Sequence, residues 1–272
     1  MNNNAPIGVF DSGVGGLTVA REIMRLMPDE NIVYFGDTAR VPYGSKSKST
    51  IIHYSKQIVK FLHTKQVKAI VIACNTASAF ALETISNQED IPIIDVIKPG
   101  AHAAADATAS GKVGIIGTEG TINSKIYPNY LHKTNPQLEV FTKSCPLFVP
   151  LVEEGLLYDS VTIEIAERYI SDLKAYHIDT LVLGCTHYPL IRHTLQKIMG
   201  EHVTLINPAY ETAIALKRSL TENKLSANAN NSDTHTPTYT FYVSDGAEKF
   251  KTFAKTILPC EVQISDINIE QY

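Results

Sequence analysis

Two cysteines stand in matching surroundings far apart in the chain: Ile70-Val71-Ile72-Ala73-Cys74-Asn75-Thr76 and Leu181-Val182-Leu183-Gly184-Cys185-Thr186-His187. Each follows an aliphatic run and a small residue, and each precedes a group of hydrogen-bonding side chains. A thiol just before a helix start feels the positive end of the helix dipole, which favours thiolate and lowers its pKa from about 8.5. Two such thiols are poised bases or nucleophiles. Most isolated cysteines are simply small buried hydrophobes. The polar successors of Cys74 and Cys185 suit the floor of a site better than a core. Cys145 and Cys260, each beside a proline and without a polar cluster, keep the structural reading.

Other side chains could join this chemistry. His187 lies two residues after Cys185, where it can hold a thiolate as an ion pair or relay its proton. Zinc on Cys185 and His187 would need two more ligands at suitable spacing, and none is near, so no metal is expected. Asp11-Ser12-Gly13-Val14-Gly15-Gly16 follows an apolar run and resembles a dinucleotide turn, with Asp37 at the distance of a ribose contact. Thr18 stands where the third small residue belongs. What remains is a turn whose N–H groups can bind a carboxylate, with Asp11 at its edge as an acid/base aid or an N-cap. Lys98, between Ile97 and Pro99, lacks the phosphate cup that pyridoxal phosphate needs. Glu153, by itself, reads as a solvated surface charge.

The elements that must hold these groups alternate strand and helix, which predicts an α/β architecture of parallel sheets. Strands are expected at 7–10, 31–36, 70–72 and 91–95, and helices at about 16–26 and 50–65. Lys98-Pro99-Gly100 breaks the pattern and reads as a domain hinge. The same order then restarts with strands at 112–117, 138–144 and 181–183, a proline-flanked stretch at 146–150 and a helix at 160–176. A further helix ends near Gly200. A strand at 203–207 is expected to return to the first lobe, followed by a loop at 221–238, a last strand at 239–244 and a last helix at 248–257. The fold class is α/β: two similar lobes, each a mostly parallel sheet flanked by helices, with the active site in the cleft between them. Residues 1–98 with 207–272 form the lobe carrying Cys74, and 99–206 the lobe carrying Cys185. Aliphatic strand ends opening on such a cleft are where ligands bind in parallel sheets.

Composition narrows the partners. The 272 residues carry 24 Lys and Arg against 28 Asp and Glu, a net charge of −4, with no basic run to track a phosphate backbone. Nucleic acid is not expected. No apolar stretch approaches the roughly 18 residues of a spanning helix, and the polar start has no secretion signal, so the expectation is a cytoplasmic protein away from membranes. Four cysteines without C-x-x-C spacing read as free thiols.

Taken together, Asp11-Ser12-Gly13-x-Gly15-Gly16, Pro42-Tyr43-Gly44, Cys74-Asn75-Thr76, Val152-Glu153 and Gly184-Cys185-Thr186-His187-Tyr188-Pro189 resemble bacterial glutamate racemase over nearly the whole chain. The resemblance implies that Cys74 and Cys185 are the two acid/base thiols and that Asp11, Glu153 and His187 assist them. It implies that Asp11, Ser12, Tyr43, Gly44, Asn75, Thr76, Thr186 and His187 hold the amino acid, with Thr118 and Thr121 nearby. It further implies a homodimer that interconverts L- and D-glutamate for peptidoglycan without cofactor or metal, and a first lobe completed by the C-terminal segment. Two features depart from the family pattern: the Asn-rich stretch 225–233, and Asn207-Pro208 where an acidic residue is common. Other readings of the same residues are an aspartate or other amino-acid racemase, a non-catalytic amino-acid-binding protein, and a thiol-transfer protein.

Overall fold

The computed structural model describes residues 2–227 and 236–272. Most of the Asn-rich stretch lies outside the described residues. The first strand, β1 (Ile7–Asp11), is buried along its whole length, as an aliphatic run must be when both faces of a sheet are covered. It is followed by α1 (Leu17–Leu26), β2 (Ile32–Gly36), α2 (Lys48–Thr64), β3 (Ala69–Ile72), α3 (Asn75–Ser86), β4 (Ile93–Asp95) and α4 (Ile97–Ala107). The middle of the chain supplies β5 (Lys112–Gly117), α5 (Glu119–Asn123), α6 (Ile126–Thr134), β6 (Glu139–Ser144), α7 (Phe148–Glu153), α8 (Ser160–Ala175), β7 (Thr180–Gly184), α9 (Arg192–Met199) and β8 (Thr204–Ile206). It closes with α10 (Pro208–Glu222), β9 (Tyr239–Val243), α11 (Ala247–Ile257) and β10 (Gln263–Asp266).

Two sheets result, ordered β10-β9-β2-β1-β3-β4 and β6-β5-β7-β8. Every pairing is parallel, with Ile7 opposite both Ile32 and Ala69 in the first sheet and Val113 opposite Thr180 in the second. The expected α/β fold of two parallel sheets flanked by helices is borne out. β3 and β7 hold comparable inner positions in their sheets, so the residues after each emerge at a carboxyl edge. One hydrophobic cluster runs through both sheets, joining Val9 and Val71 to Ile115 and Val182 through Ile97, Ala101, Ala213 and Leu216 of α4 and α10.

Several expectations are corrected. Lys98-Pro99-Gly100 is the first turn of α4 rather than a break: Asp95 Oδ1 accepts from the N–H groups of Ile97 and Lys98 at 2.8 and 2.9 Å, and proline is tolerated where no intrahelical N–H bond is due. The strand expected at 203–207 to return to the first lobe is β8, which pairs with β7 in the second sheet. The return is made by α10, which also occupies the start of the expected loop at 221–238. The stretch 146–150 leads into a helix, α7, whose last residue is Glu153. A further strand, β10, follows the helix expected to be last.

Candidate active site

The first thiol is placed by the end of β3. Cys74 caps α3, its Sγ accepting from the Ala77 N–H at 3.5 Å and donating to Ser12 Oγ at 3.7 Å. Ser12 belongs to the turn between β1 and α1. Asp11 there is fully buried, its Oδ2 accepting from the Gly13 N–H at 2.9 Å. Tyr34 OH donates to Gly13 O at 2.7 Å and fixes the turn from beneath. A Cβ on Gly15 would lie 2.3 Å from Thr186 Oγ1 and 2.5 Å from the His187 ring, so only glycine allows this turn to touch the segment carrying the second thiol.

The second thiol follows β7. Cys185 Sγ lies 3.7 Å from His187 Nδ1, and His187 Nε2 lies 3.0 Å from Glu153 Oε1. Thr186 Oγ1 donates to Asp11 Oδ1 at 3.4 Å, and Thr18 Oγ1 donates to Thr186 O at 3.0 Å, both reaching across from one sheet's segment to the other's. Tyr188 OH donates to Cys145 O at 2.8 Å, which gives that buried cysteine's neighbourhood a structural part.

Both thiols line one cavity of about 360 Å³, a size suited to a small molecule. With them on its wall are Ser12, Tyr43, Gly44, Asn75, Thr76, Thr118, Glu153, Thr186 and His187. Asp11 and Thr121 sit behind the wall, each buried and bonded to lining residues. Thr76 Oγ1 meets Thr118 Oγ1 at 2.9 Å and Thr121 Oγ1 at 3.4 Å, and the Gly120 N–H donates to Gly44 O at 2.8 Å. These contacts join the two sides over the cavity. Tyr43 is turned away: its hydroxyl donates to Asp37, so its backbone, not its phenol oxygen, is free for a ligand. Asp37 itself is fully buried and held by Arg40 and Ser244, which leaves no ribose contact to make. Lys98 is exposed on α4 and is not among the lining residues.

Sequence reasoning missed part of the wall. Pro146, Val149 and Pro150 line it from the approach to α7 and its first turns, and Glu119 from α5. The spacing of Phe148 and Val152, both fully buried, was the available helical signal.

Electrostatics at Cys74 depart from the expectation of a lowered thiol pKa. Burial, reinforced by the Asp11 carboxylate, pushes the Cys74 thiol up to about 12. Burial also raises Asp11, against the opposing pull of His187. For His187 burial would lower the pKa, but its hydrogen bonds to Cys185 and Glu153 prevail and raise it to about 10. Burial would raise Glu153, and the same pairing with His187 holds it below its ordinary value. Among the described residues no lysine or arginine lines the cavity. Among the described residues no group of three or more His, Cys, Asp or Glu could hold a metal ion, and no helix is long and apolar enough to cross a membrane.

Known proteins share this fold and much of this sequence. A glutamate racemase of Neisseria meningitidis serogroup A is 49% identical over 254 residues, covering 93% of this chain and 92% of its own. The crystal structure of a glutamate racemase isoform from Bacillus anthracis superposes with a TM-score of 0.93 at 39% identity, over 98% of both chains. That of the Francisella tularensis glutamate racemase in complex with D-glutamate gives a TM-score of 0.92 at 42% identity, over 99% of this chain and 100% of that one. The sequence profile of the Asp/Glu/Hydantoin racemase family matches residues 7–215, and the chain belongs to that family.

Proposed function

We propose that this chain is a glutamate racemase that interconverts L- and D-glutamate by moving the α-proton between two thiols. The observation that carries the reading is that Cys74 and Cys185, brought by strands of two different sheets, line one cavity. One sulfur, as thiolate, takes the proton from one face of the α-carbon, breaking the C–H bond and forming S–H. The other, as thiol, gives its proton to the opposite face, breaking S–H and forming the new C–H bond. The two sulfurs exchange protonation states in each turnover, so the reverse reaction uses the same pair.

Loss of the α-proton leaves charge beside an ionised carboxylate, which the cavity must stabilise. With no lysine or arginine among the described residues of its wall, that falls to the donors Ser12, Asn75, Thr76 and Thr186, the N-terminal end of α3 and the His187 imidazole. Thr118, Thr121 and the backbone of Tyr43 and Gly44 complete the hold on the amino acid. Asp11 and the Glu153–His187 pair assist the thiols, the charged imidazole standing beside Cys185 and the buried carboxylate behind both sides. With its pKa pushed up to about 12, Cys74 is a thiol at neutral pH. The hydrogen bonds from the Ala77 N–H and with Ser12 pull the other way, and the substrate adds a cation in its ammonium group.

The reaction as written asks for no cofactor and no metal. Residues 1–98 with 207–272 act as one lobe and 99–206 as the other. Two copies associate as a homodimer, supported by the large apolar side chains Leu156, Tyr158, Val161 and Ile163 left exposed around the start of α8. The protein works in the cytoplasm, supplying D-glutamate for peptidoglycan. The test is a circular dichroism time course of the purified protein with L-glutamate and nothing added. Decay of the signal to zero is expected, and a constant signal overturns the reading. A panel of other amino acids, aspartate included, defines the specificity.

A further inference from the structure

Asn75 is the first residue of α3, directly after Cys74, and it lines the cavity. Its Oδ1 accepts a hydrogen bond of 2.7 Å from the hydroxyl of Tyr127, carried by α6 in the segment between β5 and β6 of the other sheet. Tyr127 is 1% exposed, and among the described residues its hydroxyl donates only to Asn75.

The two ends of a primary amide differ in chemistry but hardly in shape, so its surroundings must choose between them. Were the amide turned over, Nδ2 would donate to the phenol oxygen, and the buried phenol proton would lose its acceptor. Leaving such a donor unpaired costs more than a hydrogen bond's net gain. The hydroxyl therefore selects Oδ1, and Nδ2 faces the other way. Among the described residues, the buried side-chain N and O atoms without a partner are Glu30 Oε2, Arg40 Nη2 and Ser55 Oγ. Asn75 Nδ2 is not one of them and has no acceptor among the described residues, so it is not sealed off, and the cavity holding both thiols is the large space that Asn75 lines.

We propose that Tyr127 is a positioning residue: by holding Asn75 Oδ1 it makes Asn75 a donor toward the cavity, selective for a carboxylate oxygen of the bound amino acid over its ammonium group. An amide facing the other way would accept from the ammonium group and favour a turned-over pose of the ligand beside Cys74. The hydroxyl and the amide come from segments of different sheets, so the choice is made only where those segments are packed together. The inference rests on the racemase reading for the identity of the ligand.

The experiment is Tyr127→Phe, measured by calorimetric titration with D-glutamate and by steady-state racemisation in both directions. Kd and KM should rise about three- to tenfold, the loss of one hydrogen bond's effect, while kcat changes less. Asn75→Ala should weaken binding at least as much, and adding Tyr127→Phe to it should do nothing more, because Tyr127 acts through Asn75. Unchanged binding in Tyr127→Phe, or additive losses in the double variant, overturns the proposal. If Tyr127→Phe does not fold, Asn75→Asp decides: it keeps an acceptor for Tyr127 but turns an anionic oxygen to the cavity, so it should bind D-glutamate more weakly than Asn75→Ala. Equal or tighter binding overturns the proposal. Wild-type turnover decides the racemase reading separately, whereas the ratio of variant to wild-type binding decides the part of Tyr127.

Discussion

In the proposed mechanism Cys74 and Cys185 carry opposite halves of one proton transfer, so losing either should stop the reaction rather than slow it. Cys74→Ser and Cys185→Ser should each lower kcat by about a thousandfold or more while D-glutamate still binds, because the donors that hold the ligand remain. Solvent deuterium should enter the α-carbon during wild-type turnover, and a product without it would count against proton exchange through thiols. His187, paired with Cys185 and Glu153, carries a prediction about stability. Its imidazole has a pKa of about 10 in the folded chain against 6.5 for the free group, so the folded state binds the extra proton between those values. That contribution is fully present below the lower value and is lost as pH rises through the upper one. Denaturant titrations should show stability falling across this window, and His187→Asn should flatten the slope. That the two cysteines and His187 line one cavity was expected from the chain because the signal is local: an aliphatic run, a small residue, then polar groups. The tyrosines that fix the site were not, because Tyr34, Tyr127 and Tyr188 act on residues 21, 52 and 43 positions away.

The loop between β2 and α2 and the start of α5 meet over the cavity with no room to spare. A Cβ on Gly44 would stand 2.7 Å from Thr118 Cβ, closer than two carbons can approach. Gly44→Ala should therefore force the two segments apart, raising KM about tenfold or more, with a smaller effect on the melting temperature than on turnover. An unchanged KM would mean that this contact is not needed for binding. The strands were legible wherever both faces are buried, as in β1, β3 and β7. Elements whose signal is a cap were harder to see. Asn207-Pro208 read as a departure from a family pattern, yet it starts α10: Asn207 Oδ1 accepts from the Ala209 N–H at 3.1 Å and proline takes the first helical position. Lys98-Pro99-Gly100 misled for the same reason, since the capping carboxylate of Asp95 precedes the proline. β10 was missed because its Gln263-Ile264-Ser265-Asp266 sits at a sheet edge and is mostly exposed, so it carries no apolar run.

The cavity is shared between segments of both sheets, so a ligand that binds there favours the packed arrangement of the whole chain. D-glutamate at about 100 times its Kd should add about 2.7 kcal/mol to the unfolding free energy, seen as a rise in melting temperature that D-lysine does not produce. The proposed homodimer should sediment at twice the chain mass, and Tyr158→Lys with Val161→Lys should return it to a single chain. The pairing of the sheets also has a consequence for synthesis. The strands of the second sheet are consecutive from β5 to β8, but β2 waits for β9, which is made some two hundred residues later. While a ribosome is still delivering the tail, the nascent protein carries one finished sheet and one with a bare, apolar strand edge. A chain cut short before Tyr239 should therefore aggregate through the unpaired edge of β2, which light scattering of a 1–238 fragment would check.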